Sequence, residues 1–586
     1  MGVSCKRLLV LAACIRGAYL AGNLLLSHYI ADYDTSASLL SESCDSTWPE
    51  AVAAAPQPRP WVVWDSVFSH RIAACGYEYE QFSAFFPGLS GLVRLLRTTG
   101  LFAGANGFAV ASLAINNCLF LLSVVLLARL NETFLQDDKV SATAVLVFIL
   151  SPASIHHCMA YTEALFTAAS WLGLYCLYCR GSSSTAALAF AVSSATRSNG
   201  LLNAGFLLHE HGRRLLKAWP HSKAAALWQA LQAVAFSAVA AVPYFAYMLF
   251  GYRQFCTGVY AEQQRPWCSK ALPSAYGYVQ DVYWNVGFLR YYEWSQIPNF
   301  LIASPTLIMS LWGALAYACA QPHLLLTGGL LTQQQLERWF RGSNSSKVGC
   351  GGCDRHQRAI GSSDPPKKQD SCCSSKRCAF WVTVIVGYWQ YVCSSSGIVD
   401  ESALDGATAA ADASVLPVKQ PPRIPGVAYQ PLRQRQLEVS ATKQPVGNRD
   451  GQQQQQQQQR AADAKQVQHG RQVTADGTAA AAAAAAGAAA EREETQPGCS
   501  CSFGRAFYSP GVAVFVVHWL LLTLVCLAVV HIQVATRLLS SCVPLYWFAA
   551  LLMLHKGGVL RWLLWWYCFA FMGVGAVFFT NFFPWT

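Results

Sequence analysis

Long apolar stretches separated by short polar ones run through most of the chain. A membrane helix needs about 20 mostly apolar residues. Stretches near that length lie at about 8–28, 107–130, 140–159, 162–180, 185–208, 225–250, 297–320, 379–395, 511–532, 538–555 and 559–583. The pattern predicts an all-α polytopic membrane protein with roughly ten or eleven transmembrane helices. A weaker stretch at 84–103 suits an interfacial position. The first stretch follows Lys6 and Arg7 and is interrupted by Arg16 and Asn23. No small-residue cleavage pattern follows it promptly, so it reads as an uncleaved span with its N-terminus in the cytosol. Gly, Pro, Ser and His inside the spans set them apart from plain anchors. No internal repeat is visible, which weighs against repeat-built transporter folds.

The polar segments divide the chain. Residues 1–320 form an N-terminal transmembrane part with a loop at 29–106, rich in acidic and aromatic residues up to about 83. Residues 321–378 are a polar loop with nine Lys/Arg against four Asp/Glu, followed by the span at 379–395. Residues 396–510 are low complexity, with a glutamine run from Gln452 to Gln459 and an alanine tract around Ala479 to Ala490. Such composition buries little apolar surface and predicts disorder. Both polar segments are expected in the cytosol. Residues 511–586 form a C-terminal transmembrane part.

Composition sharpens this picture. Charged residues make up 12 % of the 586 and apolar residues 53 %. Soluble domains carry about 25 % charged residues, so a soluble enzyme is excluded. The net charge of +11 belongs with cytosolic loops rather than with nucleic acid. The 22 Cys are scattered, many in apolar runs, where Cys behaves as a small hydrophobe; they do not form a secreted disulfide framework.

Five stretches carry residues suited to chemistry. In 61–88, Asp65, Glu78 and Glu80 stand among aromatic rings, with His70 and Arg71 between them. A carboxylate can take a proton from an attacking hydroxyl, and flat rings pack against sugar C–H faces. A solvated juxtamembrane loop with an aromatic belt has the same residue types. Around 151–163, Pro152 breaks or starts a helix, and His156, His157 and Glu163 lie at a span end or within a span. Ionisable residues at membrane depth are functional candidates, with interfacial water as the alternative. The His/Glu spacing is not that of a zincin. Arg197, in 196–200, suits a phosphate or a snorkelling position. In 283–299, Arg290 and Glu293 are spaced to pair on one helix face. In 531–547, His531 and Arg537 suit an anionic head group or anchoring. Cys350 and Cys353 form a CxxC with Cys372, Cys373 and Cys378 downstream, which suits loop cysteines or lipidation better than zinc. Sequons stand at Asn131 and Asn344. No phosphate-binding glycine loop or nucleophile elbow is present.

In order, these pieces resemble a known family. They are WDSVF…GYEYEQFSAFFPG at 64–88, SPASI…YTEALF at 151–166, ATRSNGLLN at 195–203, YWNVGFLRYYEWSQIPNFLIASP at 283–305, HIQVATRLLSSCVPLYWF at 531–548 and the terminal NFFPWT at 581–586. They resemble the mannosyltransferases that add the second mannose in glycosylphosphatidylinositol (GPI) anchor assembly. The resemblance covers the chain except 321–378 and 396–510, which look like lineage-specific insertions.

The resemblance implies a GT-C-type glycosyltransferase in the endoplasmic reticulum membrane, multi-pass, with its active site facing the lumen. It implies dolichyl-phosphate mannose as donor, the mono-mannosylated glucosaminyl-phosphatidylinositol as acceptor and an α-1,6 product. The resemblance also implies a small membrane accessory subunit in some organisms. A β-linked donor and an α-linked product imply single-step inversion. On this reading Asp65 is the base, Glu78 or Glu80 orients the sugar, and Arg197, Arg290, His531 and Arg537 are candidates for the phosphate, with His70 and Glu163 also placed at the substrate. No metal or other cofactor is expected, because neither substrate is a nucleotide diphosphate sugar. Another dolichol-dependent mannosyltransferase, or a transporter or scramblase, is the competing reading.

Overall fold

The computed structural model describes residues 3–33, 59–102, 106–257, 265–331, 335, 506–555, 558–581 and 583. All belong to the unit formed by Met1–Val384 with Cys501–Thr586; the second unit, Ile385–Ser500, lies outside the described residues. Also outside them are all of 34–58, the span expected at 379–395, the cysteines from Cys350 to Cys378, Asn344 and the glutamine and alanine tracts.

The described residues are helical, with no β-strand among them. α1 (Val3–Tyr29) leads into α2 (Asp65–Cys75), a 3₁₀ turn at Glu80–Ala84 and α3 (Gly88–Thr98). α4 (Gly107–Phe134) is a long span; α5 (Asp138–Ile149), α6 (Ser154–Cys158), α7 (Glu163–Leu174), α8 (Ser183–Thr196) and α9 (Ala204–Ala218) are short. α10 (Lys223–Cys256), α11 (Ala275–Val282), α12 (Ile297–Ala320) and α13 (Pro322–Thr327) follow. The last part holds α14 (Ala513–Ala528), α15 (Ala535–Leu539), α16 (Val543–His555) and α17 (Val559–Thr580). Side-chain caps start some of them. Asp137 accepts from Lys139 N and Val140 N ahead of α5, and Ser222 accepts from Ala225 N ahead of α10.

This is a polytopic membrane protein, but its helices are not eleven plain spans. Among the described residues, six helices are long and apolar enough to cross a membrane: α1, α4, α10, α12, α14 and α17. A seventh arises if α15 and α16, bent by 87° at a short break, count together. The stretches at 140–159, 162–180 and 185–208 hold helices of 12, 12, 14 and 15 residues, α5, α7, α8 and α9, and their breaks. Hydropathy merges them because their side chains are apolar on several faces. Nearly all of α7 is buried among other helices, and it ends in a wide π turn at Tyr175–Cys179. The stretch at 84–103 holds only the 11-residue α3.

The core joins Phe120 of α4, Phe148 of α5, Trp171 of α7, Phe190 of α8, Tyr317 of α12, Trp519 of α14 and Trp547 of α16. Buried indole N–H groups find acceptors there, as they must. Trp171 donates to Ser541 O (2.7 Å), Trp519 to Ser310 Oγ (3.1 Å) and Trp547 to Asn131 Oδ1 (2.6 Å). Asn131 is therefore a buried core residue, and its sequon has no exposed amide to carry a glycan.

Candidate active site

Asp65 is the first residue of α2, and the residue before it is held in an unusual backbone state. Trp64 has φ +52, outside the region L-residues favour. Such strain costs about 1–3 kcal/mol and collects at functional sites. Asp65 Oδ2 pairs with Arg537 NH2 of α15 at 2.8 Å. Arg537 Nε donates to Glu163 Oε1 of α7 at 2.7 Å, and Arg197 NH1 donates to the same oxygen at 2.6 Å and to Thr162 Oγ1 at 3.2 Å. Residues from three distant parts of the chain thus form one relay of alternating charge, Asp65–Arg537–Glu163–Arg197. Two negative and two positive charges cancel.

Exposure grades along this relay. The Glu163 side chain is 2 % exposed and Arg537 13 %, whereas Asp65 is 34 % exposed. Glu163 is the buried counter-ion of both arginines, and Asp65 is the end that meets solvent or substrate. Tight backbone packing places Arg197. A Cβ on Gly88 would fall 2.7 Å from Thr196 Cα, and one on Gly200 would run into the backbone of Ser193. Glycine at both positions lets α3 and the turn after Arg197 close on the end of α8.

The other carboxylates of the first loop have different partners. Arg71 Nε and NH2 donate to the two oxygens of Glu78 at 2.6 and 3.0 Å, with both side chains buried. Glu80 accepts from Arg265 Nε (3.0 Å), Trp267 Nε1 (2.6 Å) and Tyr283 OH (3.1 Å). Partial loss of water around the half-exposed Tyr283, together with the adjoining Glu80 charge, pushes its phenol up to about 12. Glu80 thereby ties the first loop to the α10–α12 segment. That segment is closed by a Cys256–Cys268 disulfide, and Cys75 is disulfide-bonded as well. The scattered-thiol reading holds for nine described cysteines, which are free. It missed the disulfides at Cys75 and Cys256, each the last residue of a helix.

His70 is buried against the Phe108 ring (centroids 4.4 Å apart). Burial, reinforced by Arg97 and Arg71, lowers it to about 3 from its ordinary 6.5, so the ring is neutral. The expected Arg290–Glu293 pair does not form. Residues 287–293 run as turns and extended chain, pinned by Leu289 N donating to Ala528 O, and Arg290 pairs with Asp281 instead. His531 stacks on Tyr291 (4.6 Å), beside Arg290. His157 bonds to Ala153 O and Thr167 Oγ1, and His156 packs between Tyr161 and Phe579.

Sequence reasoning overlooked Tyr161. Its hydroxyl accepts from Asp65 N at 3.3 Å, and its ring lies 4.9 Å from the Arg537 guanidinium. The available signal was its place two residues before Glu163 in a broken apolar run.

The site can orient a part-exposed carboxylate against a fixed cation, with a second carboxylate buried behind. The model of a family described as Mannosyltransferase (PIG-V) matches residues 5–586. A GPI alpha-1,6-mannosyltransferase 2 from Cricetulus griseus is 34 % identical over 316 residues, covering 49 % of this chain and 64 % of that protein. The Mus musculus protein of that name is 35 % identical over 321 residues, with the same coverage. A GPI mannosyltransferase 2 from Yarrowia lipolytica is 34 % identical over 249 residues, covering 42 % of this chain and 64 % of that protein. The chain thus spans a little under two thirds of the length of these relatives. No solved structure matches it.

Proposed function

The chain belongs to the PIG-V mannosyltransferase family, and from that premise we propose that it adds the second mannose, in α-1,6 linkage, during GPI-anchor assembly. The donor is dolichyl-phosphate mannose and the acceptor is the mono-mannosylated glucosaminyl-phosphatidylinositol. The names of its relatives support the step. The observation that carries the mechanism is Asp65, part exposed at the start of α2 and held through Oδ2 by Arg537.

In this mechanism Asp65 takes the proton of the acceptor hydroxyl. The hydroxyl oxygen then bonds to the anomeric carbon on the face opposite the phosphate. The bond from that carbon to the phosphate oxygen breaks, and dolichyl phosphate leaves as an anion. It needs a cation nearby rather than a proton. Arg537 and Arg197 stand at the site, compensated by Glu163; Arg290 and His531 are the candidates further out. Glu78 and Glu80 shape the loop that presents Asp65. No nucleotide diphosphate is released, so the reaction runs without a metal.

The reading places the site in the lumen of the endoplasmic reticulum. The disulfides at Cys75 and Cys256–Cys268 belong to an oxidising compartment. Lys6 and Arg7 at the N-terminal end of α1 favour a cytosolic N-terminus, which puts α2 across the membrane. A small accessory subunit is part of the same reading.

The test is rescue of cells lacking the second GPI mannosyltransferase, scored by surface GPI-anchored protein and by the lipid precursor that accumulates. Wild type is expected to rescue. Asp65→Asn is expected to lose about 10²–10⁴ in rate at unchanged protein level. Near wild-type turnover in Asp65→Asn would remove the base assignment. A different accumulated precursor would move the enzyme to another mannosyl transfer, and no change in any precursor would favour transport.

A further inference from the structure

Between α5 and α7 the chain passes through the core with little helix. Pro152 breaks the α5 run, α6 lasts five residues, and Met159 is extended. Helix breaks leave carbonyls without partners, and inside a bilayer each needs one from the protein. Buried Arg16 of α1, and buried Asn116 and half-buried Asn117 of α4, donate to carbonyls of this stretch. Arg16 NH1 donates to Ser154 O (2.6 Å) and its NH2 to Ser154 Oγ (2.8 Å). Asn117 Nδ2 donates to Cys158 O (3.1 Å). Asn116 Nδ2 donates to the carbonyls of Met159 and Tyr161, the latter at 2.8 Å.

Arg16 is 3 % exposed, sits 3.5 Å from the Phe120 centroid and pairs with no carboxylate among the described residues. A buried cation in an apolar span without a counter-charge is costly and is a functional candidate. The segment it holds leads to Tyr161. That residue touches both halves of the Asp65–Arg537 pair. Its hydroxyl accepts the N–H of Asp65, in the first turn of α2, where no intrahelical acceptor exists and Trp64 offers no side-chain cap. Its ring lies against the Arg537 guanidinium and packs on Phe579 and His156.

We infer that Tyr161 is a positioning residue for Asp65, and that Arg16, Asn116 and Asn117 fix Tyr161 by bonding to α6 and to the non-helical residues 159–161 that follow it. The inference rests on the reading of Asp65 as the base. Through Tyr161 the first span and α4 set where that carboxylate points, although none of the three capping side chains contacts it.

Tyr161→Phe keeps the ring and its packing and removes only the hydroxyl. The expected result is a kcat about tenfold lower, with KM for both lipid substrates and the melting temperature unchanged. Arg16→Lys keeps one donor to Ser154, so it should recover part of the kcat lost in Arg16→Met, measured per folded protein. A wild-type kcat in Tyr161→Phe overturns the inference, and so does an effect confined to KM. Equal losses in Arg16→Lys and Arg16→Met overturn the role of Arg16. Asp65→Asn, assayed alongside, separates the two layers. If it stays active, the base assignment has failed. If it is inactive while Tyr161→Phe is fully active, only the positioning inference falls.

Discussion

Glu163 shows how much one buried carboxylate carries. A single oxygen, Oε1, holds both Arg197 and Arg537, and the side chain is 2 % exposed. Removing one member of a buried ion pair leaves an uncompensated charge, at a cost of about 3–5 kcal/mol. Arg537 keeps Asp65 as a partner, so the lower end applies. Glu163→Ala is expected to lose about 3 kcal/mol of stability, read as a lower thermal transition in detergent. Melting at the wild-type temperature would mean that the relay adds nothing to the fold. Sequence reasoning singled out all four relay members, because ionisable residues in apolar surroundings stand out. Their pairing was not legible. Arg290 makes the same point in reverse, since its i, i+3 spacing to Glu293 meant nothing once the segment proved not to be helical.

The elements that build the site are the irregular ones. Long helices such as α4 and α12 match their apolar stretches closely, because their length is set by the pattern alone. The breaks at 150–162 and 197–203 fall within or between stretches that hydropathy reads as spans; they carry Tyr161 and Arg197, and Glu163 starts the helix after the first of them. Further out, Arg265 and Trp267 reach Glu80 from a loop closed by Cys256–Cys268. A disulfide over so short a loop stabilises by about 2–3 kcal/mol, chiefly by restricting the unfolded chain. The double variant Cys256→Ser with Cys268→Ser should melt lower by that amount, while Asp65 and Arg537 are left in place. If its melting curve matches the wild type, the Glu80 clamp holds the loop without help.

Across the whole molecule, one helical unit formed by Met1–Val384 and Cys501–Thr586 contains every residue of the candidate site. The candidate site as described draws on no residue of the low-complexity stretch at 396–510, which apart from its last residues lies outside the described residues. Replacing residues 400–495 by a short Gly/Ser linker should therefore leave rescue and thermal stability unchanged. Loss of rescue at normal protein level would give that stretch a role in the reaction or in assembly. Sequence alone determined the membrane class, the helical fold, the family resemblance and the set of chemically loaded stretches. These follow from local composition and ordered motifs, which do not depend on how the chain is folded up. Tertiary structure decided which of those residues meet. Asp65 joins Arg537 across more than four hundred positions, Glu80 turns away to Arg265, and Arg16 serves a carbonyl on Ser154. The physical reason is that charge pairing and carbonyl capping act over about 3 Å in space, and separation along the chain sets no limit on them.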